Sequence, residues 1–160
     1  MPVITLAPLV ETDFDWMLEL EAAAREEGFI RGNDRAGHVA YYARPDSLYL
    51  LIMREGQRAG YAILSGFGTP DRVIELGRIV IDEAFRGIGQ IALKAIIAHI
   101  FVDPEIHKIW LDTLDHNLRG QHIYQKLGFV LEGRLRESFL MEGRRRDMLV
   151  YGLLRKDWSG

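Results

Sequence analysis

The 160-residue sequence contains no cysteine, which excludes disulfides, thiolate metal sites and a thiol nucleophile, and suits a reducing compartment. Its net charge is small, −3 at pH 7. Bulk electrostatics therefore attract neither nucleic acid nor an anionic membrane, and any anion must be held by a local cluster. The opening stretch MPVITLAPLVETDFDW has no basic segment and is interrupted by Pro8, Glu11 and Asp13, so it reads as neither a signal peptide nor a membrane span. A cytoplasmic protein is expected. Apolar side chains are plentiful, 48% of the chain, enough for one sizeable core. A single domain over residues 1–160 is expected, with no repeat or linker.

Hydrophobic periodicity divides the chain into two halves. VITLAPLV reads as an edge strand, because Pro8 lacks an amide donor. A helix follows, capped by Thr12, with apolar residues at helical spacing from Phe14 through Leu20 and a stop at Gly28. A second helix is expected over Asp34 to Ala43, ended by the Arg44-Pro45 step. SLYLLIM, RAGYAILSGF and RVIELGRIVI then read as an antiparallel meander. Beyond it, helices alternate with strands: a helix from about Gly87 to Phe101, the strand KIWLDTL, a helix from Asn117 to Lys126, then GFVLEGRLRESF and MLVYGLL joined by the turn MEGRRRD. Strands separated by helices require parallel crossovers, so the fold expected is mixed α/β, with a largely antiparallel central sheet flanked by helices.

Two stretches carry chemistry. In DEAFRGIGQIALKAI, a turn opens directly into a helix. The amides of Arg86, Gly87, Ile88, Gly89 and Gln90 are then free donors at the positive end of a helix dipole, suited to a phosphate. Gly87 and Gly89 permit positive φ there, and Arg86 adds charge. The alternative is a plain strand-to-helix turn. The Gly-Lys-Ser/Thr ending of a triphosphate loop and the third glycine of a dinucleotide fingerprint are both missing. In LDTLDHNLRGQHIYQKLGF, Asn117 and Tyr124 stand seven residues apart, on one helix face with Gln121 between them, roughly 10 Å along the axis. That face either follows a long ligand or packs Tyr124 into the core with its hydroxyl at the rim.

Together, RGIG opening a helix, then a strand, then Asn-x6-Tyr-x-Lys-x-Gly-Phe resemble the GNAT superfamily of acyl-CoA-dependent N-acetyltransferases. The ending EGRLRESFLMEGRRRDMLVYGLL is similar to the branch typified by ribosomal-protein N-terminal acetyltransferases. The resemblance covers about residues 3–155 and departs from the family's phosphate turn at Ile91, where glycine or alanine is usual. It implies acetyl-CoA as cosubstrate, no metal, and a primary amine as acceptor: a protein N-terminus, an amino sugar, a polyamine or an amino acid. Arg86 to Gln90 would hold the pyrophosphate, the backbone of Ile79, Val80 and Ile81 would pair with the pantetheine amides, and Asn117 would bond the pantetheine or acyl arm.

Tyr124 would protonate the departing thiolate. A base is useful as well, because an amine near pKa 10.4 is almost wholly protonated at neutral pH. Glu75 is the first choice and Asp112 the second, since a carboxylate in an apolar strand is unfavourable unless used or paired, for instance with Arg78 or Arg134. The alternative function is a non-catalytic acyl-CoA-binding or regulatory module with the same fold.

His107, His116 and His122 lack the spacing of a zinc motif and read as solvated or capping residues. Arg144, Arg145 and Arg146 read as a basic hairpin tip, either solvated or docking an acidic substrate. Trp16, Phe29, Tyr41 and Tyr42 read as core. A free sheet edge would allow two copies to pair as a homodimer.

Overall fold

The structure, a computed structural model, describes residues 2–160. Seven strands form one sheet: β1 (Ile4–Pro8), β2 (Ser47–Arg54), β3 (Gln57–Ser65), β4 (Val73–Ile81), β5 (Lys108–Leu114), β6 (Val130–Met141) and β7 (Arg144–Leu154). Their order is β1-β2-β3-β4-β5-β7-β6. Pairing is antiparallel except between β4 and β5. Four helices complete the fold: α1 (Phe14–Glu26), α2 (Arg35–Tyr42), α3 (Gly89–Phe101) and α4 (Leu118–Lys126). The mixed α/β class, the meander and the edge position of β1 all match the sequence reading. No helix among the described residues is long and apolar enough to cross a membrane.

Strand pleating sends alternate residues to opposite faces. Leu50, Ile52, Ile74 and Leu76 join Leu93, Ile96 and Ile97 of α3 in one cluster, against which Ile123 and Tyr124 of α4 pack. Tyr49, Leu51, Tyr61 and Val80 join Phe14 and Met17 of α1 in the other, with Tyr41 and Tyr42 of α2 alongside. The sheet thus has an α3/α4 face and an α1/α2 face.

Several boundaries differ from expectation. A 3-10 turn, Glu11–Asp13, absorbs Thr12, and Asp13 rather than Thr12 stands at the N-cap of α1. Helix α3 begins at Gly89, because Glu83–Phe85 forms its own 3-10 turn and Gly87 takes φ +95. The last hairpin turns at Glu142 and Gly143, both at positive φ, so Arg144, Arg145 and Arg146 belong to β7 instead of a loop tip. Phe29 is 37% exposed and lies against the His116 ring instead of joining the core.

The middle of β4 contains a bulge. Ile63 pairs with Arg78 and Leu64 with Leu76, so Gly77 is the extra residue between them. Glu75 and Arg78, three positions apart, would face opposite ways in a regular strand; the bulge brings both to the α1/α2 face. Past it, Gly60 pairs with Ile81, and a Cβ at Gly60 would lie 2.3 Å from the Val80 carbonyl oxygen. Gly60→Ala is therefore expected to force β3 and β4 apart and to destabilise the protein by about 1–3 kcal/mol, read as a lower urea midpoint with an unchanged m-value.

Candidate active site

The site begins where β4 and β5 part. They pair only at Val73, Ile74 and Glu75 with Lys108, Ile109 and Trp110. Beyond that, β4 stays bonded to β3 through Ile81, and β5 to β7 through Leu114. The outward amides and carbonyls of Ile79, Val80 and Ile81 are thus left without a strand partner, a template for an extended ligand with amide groups of its own.

This open edge leads to the N-terminus of α3. The first-turn amides of a helix lack intrahelical acceptors, and here the first such bond runs from the Ala92 amide to the Ile88 carbonyl, at 2.8 Å. Gly89 and Gln90 thus belong to the donor-rich first turn, as expected. Two details differ. The Arg86 amide is already used by the Glu83 carbonyl, at 3.1 Å, and its guanidinium pairs with the Glu83 carboxylate. Of the two glycines, Gly87 takes positive φ while Gly89 starts the helix. Ile88 is buried and Ile91 half-buried.

Asn117 precedes α4 as its N-cap. Its Oδ1 accepts from the Gly120 amide at 3.1 Å, and its Nδ2 donates to Thr113 Oγ1 at 3.0 Å. Its amide group therefore shapes the start of α4 before it meets any ligand. Tyr124, in the last turn of α4, packs on the α3/α4 face near Phe129 and Tyr151. Burial pushes its hydroxyl up to about 12, with interaction with Thr113 opposing and the charge of Asp112 adding to the rise. Such a group keeps its proton throughout the neutral range.

Glu75 and Asp112 lie on the α1/α2 side of the parting strands. Burial raises the Glu75 carboxyl above its ordinary range, and the charge of Asp112 raises it further, while Ser65 and Arg44 oppose the rise. Asp112 is solvent-accessible, yet the surrounding protein partly desolvates it and raises its carboxyl too. The charge of Asp112 raises both Glu75 and Tyr124. Neither carboxylate bonds the arginines suggested by sequence: Arg134 pairs with Asp147 at 2.6 Å and Arg78 with Glu21 at 3.1 Å.

Glu21 is the feature that sequence reading missed. It is fully buried beneath the site. It accepts from His38 Nε2 at 3.0 Å, the Asn33 amide at 2.7 Å, Arg78 Nη1 at 3.1 Å and the Tyr61 hydroxyl. Its spacing was the available signal: Phe14, Met17 and Glu21 follow i, i+3, i+7, so Glu21 falls on the apolar stripe of α1. Burial alone would raise its carboxyl, but the hydrogen bonds from His38 and Tyr61, with the Asn33 amide and Arg78, bring it down to about 2.

His116 Nε2 meets the Gly28 carbonyl at 3.0 Å, tying the α1–α2 loop to the start of α4 instead of being solvated. No group of three or more metal-ligating side chains occurs among the described residues.

Comparison with known proteins identifies the family. A family model described as "Acetyltransferase (GNAT) family" matches residues 15–129, and the chain belongs to this family. A spermine/spermidine N(1)-acetyltransferase of Bacillus subtilis (strain 168) is 29% identical over 102 residues, 59% of this chain and 64% of its own length. A [ribosomal protein uS5]-alanine N-acetyltransferase of Escherichia coli (strain K12) is 31% identical over 81 residues, 49% of this chain and 42% of its own length. These matches therefore span less than two thirds of either relative. The fold is also that of a spermidine N-acetyltransferase from Vibrio cholerae, whose crystal structure is a complex with CoA and spermine. The TM-score is 0.85 at 19% identity, covering 98% of both chains.

The depressed Glu21 carboxyl links stability to pH. A carboxylate at 4.5 when unfolded and about 2 when folded contributes stability that is fully present above pH 4.5. That stability is lost as pH falls through about 2; at ~1.4 kcal/mol per unit it amounts to on the order of 3 kcal/mol. Glu21→Gln is expected to lower stability at pH 7 by a comparable amount and to flatten the acid limb between pH 4.5 and 2. Urea melts across that window would read both effects.

Proposed function

We propose that the protein is an acyl-CoA-dependent N-acetyltransferase, a single cytoplasmic domain that moves an acetyl group from acetyl-CoA directly to a primary amine. The observation that carries this reading is the parting of β4 from β5. One free edge runs from the anion-suited start of α3 to a point with Tyr124 on one face of the sheet and Glu75 on the other. Arg86, Gly87, Ile88, Gly89 and Gln90 would hold the pyrophosphate, the Ile79–Ile81 backbone the pantetheine, and Asn117 the pantetheine or acyl arm. Arg86 would exchange Glu83 for the phosphate.

Bound acetyl-CoA supplies the reactive thioester. The chain's own residues handle protons on either side of it. Glu75 accepts a proton from the attacking nitrogen, directly or through water, which frees the lone pair for attack on the thioester carbonyl. Burial and the Asp112 charge make Glu75 more basic than an ordinary carboxylate, moving it closer to the working pH. Tyr124 gives its proton to the departing sulfur, whose thiol pKa of about 8.5 makes it a better leaving group when protonated. Asp112 tunes both partners through its charge.

Three outcomes check this reading. At about 100 times its dissociation constant, acetyl-CoA should stabilise the protein by roughly 2.7 kcal/mol, seen as a higher Tm than with ADP. The absence of any shift at saturating ligand would end the reading at its first step. Because the chain has no cysteine, a thiol reagent reports amine-dependent CoA release without protein background. Tyr124→Phe and Glu75→Gln should each lower kcat by about 10²–10⁴-fold while retaining the Tm shift; a shift without release from any amine would instead support a binding module. Finally, kcat/KM should rise with pH as Glu75 ionises. Asp112→Asn removes the negative charge that raises Glu75 and should move that limb to lower pH.

A further inference from the structure

Arg78 is a charged side chain with no part in the chemistry above, yet it borders the same space. A cavity of about 210 Å³ on the α1/α2 face is lined by Glu75 and Arg78 together, with Asn33, His38, Tyr41 and Tyr49 among its walls. The Gly77 bulge places both charged residues on this face. They do not neutralise one another, because Arg78 is paired with Glu21. That pairing engages Nη1, the guanidinium also interacts with the Tyr61 hydroxyl, and the side chain keeps 21% of its surface exposed. Glu21 is itself fixed by His38, Tyr61 and the Asn33 amide, and His38 in turn meets the Tyr49 hydroxyl at 2.9 Å. The guanidinium is therefore held from behind by a buried network, as a preorganised binding group is.

We propose that Arg78 is the specificity-determining residue of the acceptor pocket and binds a carboxylate carried by the amine acceptor, while Glu75 faces its nitrogen. The substrate class is a small amine that bears a carboxylate, of amino-acid size. Glu75 and Arg78 line the same cavity, so one small molecule that carries both an amine and a carboxylate can meet both. The 210 Å³ space that Arg78 borders is of amino-acid size, and Glu75 also borders a cavity of about 490 Å³ lined by Arg44, Asp46 and Trp110.

This inference rests on the acetyltransferase reading but fails separately from it. The experiment compares CoA release from acetyl-CoA with amino acids, their methyl esters, the matching amines without the carboxyl carbon, short peptides and spermidine. These are tested on the wild-type protein and on Arg78→Lys, which retains a charge for Glu21 and gives up the planar fork. The expected result is kcat/KM at least tenfold higher for the free carboxylate than for its ester or bare amine. In Arg78→Lys, KM for the carboxylate form should rise tenfold or more with kcat nearly unchanged, and KM for the bare amine should stay put. Calorimetric binding of the same amino acid and ester gives a readout independent of turnover, with the same tenfold preference expected and its loss in Arg78→Lys. A preference for spermidine or peptides, or an equal effect of Arg78→Lys on acids and bare amines, would overturn the proposal and leave the acetyltransferase reading standing. Loss of the acetyl-CoA Tm shift would instead strike that reading.

Discussion

The parting of β4 from β5 is the constraint on which the rest of the molecule depends. These are the sole parallel neighbours in the described sheet, and their connection must pass through α3. Once pairing stops at Glu75 and Trp110, each strand is carried away by its antiparallel partner on the other side, β3 or β7. The unmade hydrogen bonds between them would be a liability in a closed core. In a cleft they become a strip of oriented donors and acceptors, and the two faces of the sheet communicate through the gap.

Tyr124 and Glu75 then occupy opposite faces. Tyr124 belongs to the α3/α4 packing and is held neutral by it; Glu75 belongs to the α1/α2 side and is made more basic by burial and by Asp112. Asp112, on β5, is the one group whose charge reaches both.

The buried carboxylate of Glu21 organises the α1/α2 side. It is fully desolvated and would be unfavourable there without partners, so His38, Tyr61, Asn33 and Arg78 gather around it. These come from α2, β3, the α1–α2 loop and β4, and the carboxylate on α1 fixes their mutual geometry. The wall of the cavity is as rigid as this network.

Sequence alone determined the element order, the mixed sheet and the two motifs flanking the cleft. Hydrophobic period and glycine turns act over short spans, so they survive in a one-dimensional reading. The glycine turn before α3, the helix carrying Tyr124 and the apolar strand carrying Glu75 were legible for that reason. Local competition between hydrogen bonds moved the details: Glu83 took the Arg86 amide, Asn117 became a cap, and the Glu142-Gly143 turn drew three arginines into β7. Glu21 was readable in principle from its place on an apolar stripe, but its partners lie 12 to 57 residues away. Only the tertiary structure decided that Arg78 meets Glu21 rather than Glu75, and that a one-residue bulge turns Glu75 and Arg78 to the same face. Side-chain pairing and strand register are settled by packing between distant segments, which a linear pattern does not encode.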